Sequence, residues 1–167
     1  GKKRFRVSLI EEGKPQKLGF LDESGKVVVP VIYEYLERIS NLGDEPTQLV
    51  KRDGKFGYID IVTGKTLIAP VYDLLNVDTL MTDAQGRGIA FAKQGDKWGV
   101  LTTEGKPLVP FEFDEVAEIL AGEALMRRQR AMVRLRFEGG RYLGETVECL
   151  ECGGFSVSGV RRSAQQE

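Results

Sequence analysis

Lys55-Phe56-Gly57-Tyr58-Ile59-Asp60, then Gly64-Lys65, then Leu67-Ile68-Ala69-Pro70 with Tyr72, is the stretch that decides the fold. A short apolar-rich run breaks at a glycine and resumes as a second apolar run ending in proline and an aromatic. Upstream stand Gln48-Leu49-Val50-Lys51-Arg52 and the dipeptide Asp53-Gly54. Asp-Gly between two strand patterns signals a two-residue hairpin, because a type I′ turn needs φ > 0 at both central positions. The three runs read as one three-stranded antiparallel meander.

The block recurs on both sides. Lys17-Leu18-Gly19-Phe20-Leu21-Asp22 leads to Gly25-Lys26, Val27-Val28-Val29-Pro30 and Tyr33. Lys97-Trp98-Gly99-Val100-Leu101-Thr102 leads to Gly105-Lys106, Leu108-Val109-Pro110 and Phe113. The steps from Gly19 to Gly57 and from Gly57 to Gly99 are 38 and 42 residues. A period near 40 marks a repeat array, in which no unit buries its apolar face alone. Phe5-Arg6-Val7-Ser8-Leu9 and Ile89-Ala90-Phe91-Ala92-Lys93 supply the first strands of the outer copies. Gly95-Asp96 suits a II′ turn. Pro30, Pro70 and Pro110 mark strand ends, since proline cannot donate to a ladder.

These residues also carry the first functional expectations. Phe20, Tyr33, Phe56, Tyr58, Tyr72, Trp98 and Phe113 read as packing between neighbouring units rather than as a stacking surface for a ligand. Lys17, Lys55 and Lys97 read as charges that keep an exposed edge from aggregating. Glu34, Asp73 and Asp114 recur once per unit and read as turn or capping residues, not as an acid–base pair.

The expected fold is all-β: repeated three-stranded antiparallel meanders, about three and a half units, with one short inserted helix. The helix is placed in 115–130, where Val116, Ile119, Leu120 and Ala124 approach helical spacing. Asp114 would be its N-cap, with Arg127 and Arg128 at its C-terminal dipole. Gly122 opposes it by about 1 kcal/mol of propensity. The units run over about 4–42, 47–86 and 88–130, with a partial one at 131–148. There Ala131-Met132-Val133-Arg134-Leu135-Arg136-Phe137 has a strand pattern and Arg141-Tyr142-Leu143-Gly144 echoes the Lys-aromatic-Gly motif. Residues 1–148 make the repeat domain, and 149–167 a Cys-x-x-Cys segment and tail.

Lys-Trp/Phe/Leu-Gly-x-Leu/Ile-Asp/Thr, followed by Gly-Lys and then Val/Ile-x-Pro-x-Tyr-Asp, resembles the WG repeat family, also called KWG repeats. The resemblance covers roughly 5–114 and, weakly, 131–147. Leu18 departs from it by replacing the aromatic, and Thr102 by replacing the acid. It implies a β-rich module of a mostly bacterial family with no agreed activity, whose members look like binding or scaffold modules.

Composition narrows the chemistry. The chain of 167 residues has net charge −1 and no histidine, which removes the usual neutral-pH general base and the commonest metal ligand. No run approaches the roughly 18 apolar residues of a membrane span. No Gly-Lys-Ser/Thr phosphate loop is present, and no serine has a histidine partner. The leading expectation is therefore a non-enzymatic protein-binding or scaffold module with another protein as partner and no cofactor. One alternative is a polyanion-binding module for nucleic acid or anionic lipid, through Arg127, Arg128, Arg130, Arg134, Arg136 and Arg141. Another is a zinc-linked or redox module at Cys149 and Cys152; this pair supplies two of the four thiolate or imidazole ligands that structural zinc needs.

Overall fold

The computed structural model describes residues 3–38, 47–76, 81–82, 86, 88–120, 122–139 and 141–147. The chain divides into two compact units, residues 1–79 and 80–167. In the first unit, β1 (Phe5–Leu9), β2 (Lys17–Leu21) and β3 (Val27–Tyr33) form one sheet in that order. A second sheet holds β4 (Tyr35–Arg38), β5 (Thr47–Arg52), β6 (Lys55–Asp60) and β7 (Thr66–Tyr72), and a two-residue strand β8 (Leu74–Leu75) follows.

In the second unit, the third sheet contains the short β9 (Met81–Thr82) beside β10 (Gly88–Gln94), then β11 (Lys97–Thr102) and β12 (Pro107–Phe113). The fourth sheet runs β13 (Glu115–Leu120), β14 (Glu123–Arg128), β15 (Ala131–Glu138) and β16 (Arg141–Val147). Every register resolved in the four sheets is antiparallel. The chain is all-β, and no helix occurs among the described residues.

The turn chemistry follows the sequence. Asp53 and Gly54 both have positive φ, at 51° and 77°, as a type I′ turn requires, and Gly95 has φ 59°.

The motif glycine and proline have one shared cause. Leu18 stands opposite Tyr33, but Phe20 stands opposite Val29, so a two-residue step on β2 faces a four-residue step on β3. The same bulge separates Phe56–Tyr72 from Tyr58–Ile68, and Trp98–Phe113 from Val100–Val109. Each proline sits in the bulge, where no ladder donor is needed, and the strand continues through it instead of ending there. The extra residues press the third strand onto the motif glycine. A Cβ on Gly19 would lie 2.6 Å from the Val29 carbonyl oxygen, and one on Gly99 would lie 2.8 Å from that of Val109.

The expected helix is absent. Residues 115–130 instead form the β13–β14 hairpin and the turn leading into β15. Gly122, at φ 73°, supplies left-handed backbone where a helix would need right-handed. Downstream of it the period is two, not 3.6: Ala124 and Met126 are buried while Glu123, Leu125 and Arg127 are not. The apparent helical spacing on β13 comes from a register shift between Val116 and Glu118.

The third strand of a repeat also does not end its structure at the aromatic. A single residue, Glu34 after β3 and Asp114 after β12, turns the chain into the first strand of the next sheet. There β4 pairs with β5, and β13 with β14. This placement makes β14 the counterpart of β5 and the turn at Gln129 the counterpart of Asp53. The Arg141–Gly144 echo accordingly falls on the last strand, β16.

Each of the first three sheets has two faces, one bearing the motif glycine and one bearing the motif aromatic (leucine in the first copy); in the fourth sheet Val133 and Met132 take these places. In the first unit, Phe20, Val29 and Tyr33 from the aromatic face of the first sheet pack with Leu36, Val50 and Ile59 from the glycine face of the second. In the second unit, Phe91, Val100, Val109 and Phe113 pack in the same sense on Ala124, Met126, Val133, Leu135 and Phe137. Each large side chain buried this way stabilises the unit by roughly 1.5–3 kcal/mol.

Candidate interaction surface

The recurrent lysines and acids occupy one site per repeat. Lys17 pairs with Glu34 at 3.5 Å, Lys55 with Asp73, and Lys97 with Asp114. The lysine opens the motif strand and the acid is the corner residue, so the bulge brings them together. Glu34 also accepts hydrogen bonds from the backbone N–H groups of Asp53 (3.0 Å) and Gly54 (3.4 Å). Asp114 accepts from the Gln129 N–H at 2.6 Å. The corner acid thus holds the hairpin turn of the following sheet, a role more specific than the capping expected of it. Nor do the lysines simply charge a free edge. The sequence signal was there, as a lysine–acid separation of 17 or 18 residues in all three copies.

This clamp sets a pH dependence. Lys97, and then the Gln129 N–H, hold the Asp114 carboxyl below the usual carboxylate range. Desolvation pulls Glu34 upward, but the N–H groups of Gly54 and Asp53, with Lys17, outweigh it and leave it lowered. Asp22 is lowered by the Ser24 hydroxyl and by the backbone N–H groups of Lys26 and Ser24. A carboxyl lowered in the folded state binds a proton more weakly there than when unfolded. Its contribution is present above the unfolded pKa, at about pH 4, and is lost as pH falls through the folded value. The urea midpoint should therefore fall on acidification from pH 5 to pH 3. Asp114→Asn should weaken the protein at neutral pH and flatten that dependence. Equal acid sensitivity in variant and parent would remove Asp114 as a contributor.

Gln129 offers a second check. It is not a glycine, yet has φ 57°, the region where Asp53 and Gly95 also sit. Gln129→Gly should raise stability by about 0.5 kcal/mol, as relief of left-handed strain exceeds the added entropy of the unfolded chain. An unchanged or lower urea midpoint would contradict this.

The arginine-rich segment lies mainly on the open aromatic face of the fourth sheet. Val133, Leu135 and Phe137 turn inward, and Arg134 and Arg136 turn outward. The arginines are not an unopposed basic field. Arg127 meets Glu115 at 3.0 Å, and Arg134 and Arg136 meet Glu123 at 3.8 and 3.7 Å. Arg128 meets Glu112 at 2.6 Å and lies over the Phe113 ring, and Arg141 stands opposite Glu138. Arg130 is exposed in the turn. Arg134 stands where Tyr58 and Val100 stand in the second and third sheets, both of them buried. The fourth sheet thus presents a charged face on this side.

The first sheet is different. In register, Phe5, Val7 and Leu9 of β1 face Leu21, Gly19 and Lys17 of β2, and Val27 of β3 faces Leu21. These residues share the glycine face of the first sheet. Phe5, Leu9 and Val27 are 52%, 48% and 52% exposed, and Ile10 beside them is 76% exposed. Among the described residues β1 has no strand on its outer edge, whereas β5 has β4 and β14 has β13. Sequence reasoning found β1 but not this exposure, because FRVSL reads like the first strand of any copy.

Cys149 and Cys152 lie outside the described residues. Among the described residues no three or more of His, Cys, Asp and Glu are grouped to hold a metal, and no helix is long and apolar enough to cross a membrane.

The model of the WG containing repeat matches residues 19–43 and 98–119. The chain contains WG repeats. Each matched segment begins at or beside a motif glycine, passes through the proline bulge and the acid corner, and enters the first strand of the following sheet. The matched segments therefore extend beyond one sheet and include the corner acids Glu34 and Asp114. No curated protein and no solved structure matches the chain.

Proposed function

We propose that this WG-repeat chain is a non-enzymatic protein-binding module that acts as a scaffold. The observation that carries this reading is the glycine face of the first sheet, where Phe5, Leu9 and Val27 stand exposed beside the unpaired edge of β1. Apolar side chains grouped at a sheet edge are the feature of a protein contact, since main-chain groups give affinity and side chains give selectivity. The recurrent lysines and acids are engaged in structural pairs within the repeat, whereas this face is, among the described residues, a surface available for recognition.

The test is cross-linked capture from the source cell with the parent chain and with Phe5→Glu/Leu9→Glu. Both positions are exposed, so the variant should fold. A discrete protein cross-linked to β1 or β3, and lost on the variant, is the expected result. Capture undiminished by the variant would refute the reading. So would turnover of a defined substrate that disappears on changing one residue.

A further inference from the structure

The two packing interfaces within the units obey one rule, and among the described residues the first sheet shows a glycine face with exposed apolar side chains. In both units a glycine face is covered by the aromatic face of the repeat before it. In both, the strand that runs on from that repeat through the acid corner also closes the outer edge of the covered sheet. Face and edge are therefore satisfied together, by one continuous segment. The first sheet has the same glycine face, with Phe5, Val7, Leu9, Leu21 and Val27, and the same open first-strand edge.

We propose that this face and edge together form the docking site for a further WG-repeat sheet from outside this stretch of sequence. That sheet would present its aromatic face to Phe5, Leu9 and Val27 and lay its corner strand antiparallel on β1. This rests on the protein-binding reading and names the class of partner.

Three observations favour that occupant. The geometry repeats interfaces the chain already makes twice. The β1 backbone is held in place for it: the Arg4 guanidinium donates to the carbonyl oxygens of Ile61, at 3.1 Å, and Val62, so the edge is ordered before a partner arrives. Charge also agrees. Residues 3–9 carry Lys3, Arg4 and Arg6 and no acid, while the corner strand Glu115–Leu120 carries two glutamates and no base. A second copy of this chain fits poorly. Its own outermost aromatic face, on the fourth sheet, carries the pairs of Arg127, Arg134 and Arg136 with Glu115 and Glu123, and burying those pairs against Phe5 and Leu9 would desolvate them.

The experiment extends the whole chain at its N-terminus with a copy of residues 88–120. Amide exchange of residues 5–9 is then compared in the extended and parent chains. Docking should slow exchange on the order of 100-fold or more, because an edge strand becomes an interior one. The same extension with Val100→Lys and Val109→Lys in the added copy should leave exchange at the parent rate. The inference is overturned if the added copy folds and β1 exchanges as before, or if the copy stays unstructured while β1 remains open. It is also overturned if the parent chain dimerises in sedimentation and Phe5→Glu abolishes the dimer, since a second copy would then be the occupant. Loss of the captured partner on Phe5→Glu/Leu9→Glu, with no protection in the extended chain, would remove this inference and leave the protein-binding reading standing.

Discussion

Gly57→Ala is expected to destabilise residues 1–79 by about 3 kcal/mol, at the upper end of what overpacking costs. The added methyl would enter the backbone of Ile68, Ala69 and Pro70, inside the proline bulge of β7. Backbone held by a ladder on one side and a proline ring within it cannot yield as a side-chain tip can. Gly57 is outside the left-handed region, so the cost is steric alone. Gly54 separates the two effects. It has φ 77° but open space around it, and Gly54→Ala should cost only about 1 kcal/mol. Urea unfolding followed by far-UV circular dichroism ranks the two. Equal costs, or a Gly57 variant as stable as the parent, would mean that the close approach does not explain the motif glycine.

Phe137→Ala should be at least as damaging, at about 4 kcal/mol, because a large buried ring leaves a cavity. Phe137 is buried in the core of the second unit and meets the Phe91 ring edge-on, with centroids 6.2 Å apart and planes at 88°. A small domain has only 5–15 kcal/mol in all, so this variant should bring residues 80–167 near their threshold. The single tryptophan, Trp98, packs against the same core, so its fluorescence follows the second unit. The Trp98 transition should move to lower urea by about 2 M in Phe137→Ala, whereas Gly57→Ala should act mainly on the circular dichroism signal of the first unit. A Trp98 transition unmoved by Phe137→Ala would contradict the core assignment.

Strands and turns were legible because their signals are local. Asp53-Gly54 allows little but a tight hairpin, and three spaced copies of one motif fix an array. What escaped was set by contacts across the bulge or between sheets. Residues 115–130 have apolar spacing that fits a helix until the Val116–Glu118 register shift and the left-handed Gly122 are known. The aromatics were expected to pack between neighbouring repeats, and Phe20, Tyr33 and Phe113 do so, each against the following sheet of its own unit. Yet Phe56 stands opposite Tyr72 and Trp98 opposite Phe113 within a single repeat, which the spacing does not reveal. The arginine run looked basic because its counter-charges, Glu112, Glu115 and Glu123, come from earlier strands. The open face at Phe5 was hidden for the opposite reason: its residues match those of buried strands, and only the missing neighbour distinguishes them.

The corner strand has a consequence for how such chains change length in evolution. One edge of a sheet is built from the end of the preceding repeat, so sheets and repeats are out of phase by one strand. A duplication or deletion in the gene that spans one full period carries a corner strand away with its own repeat and brings the neighbour's into the vacated place. Every ladder is refilled, and each turn again finds an acid. A crossover at a sheet boundary would instead leave one edge bare. Chains built this way can lengthen or shorten by whole periods without any interface being invented anew.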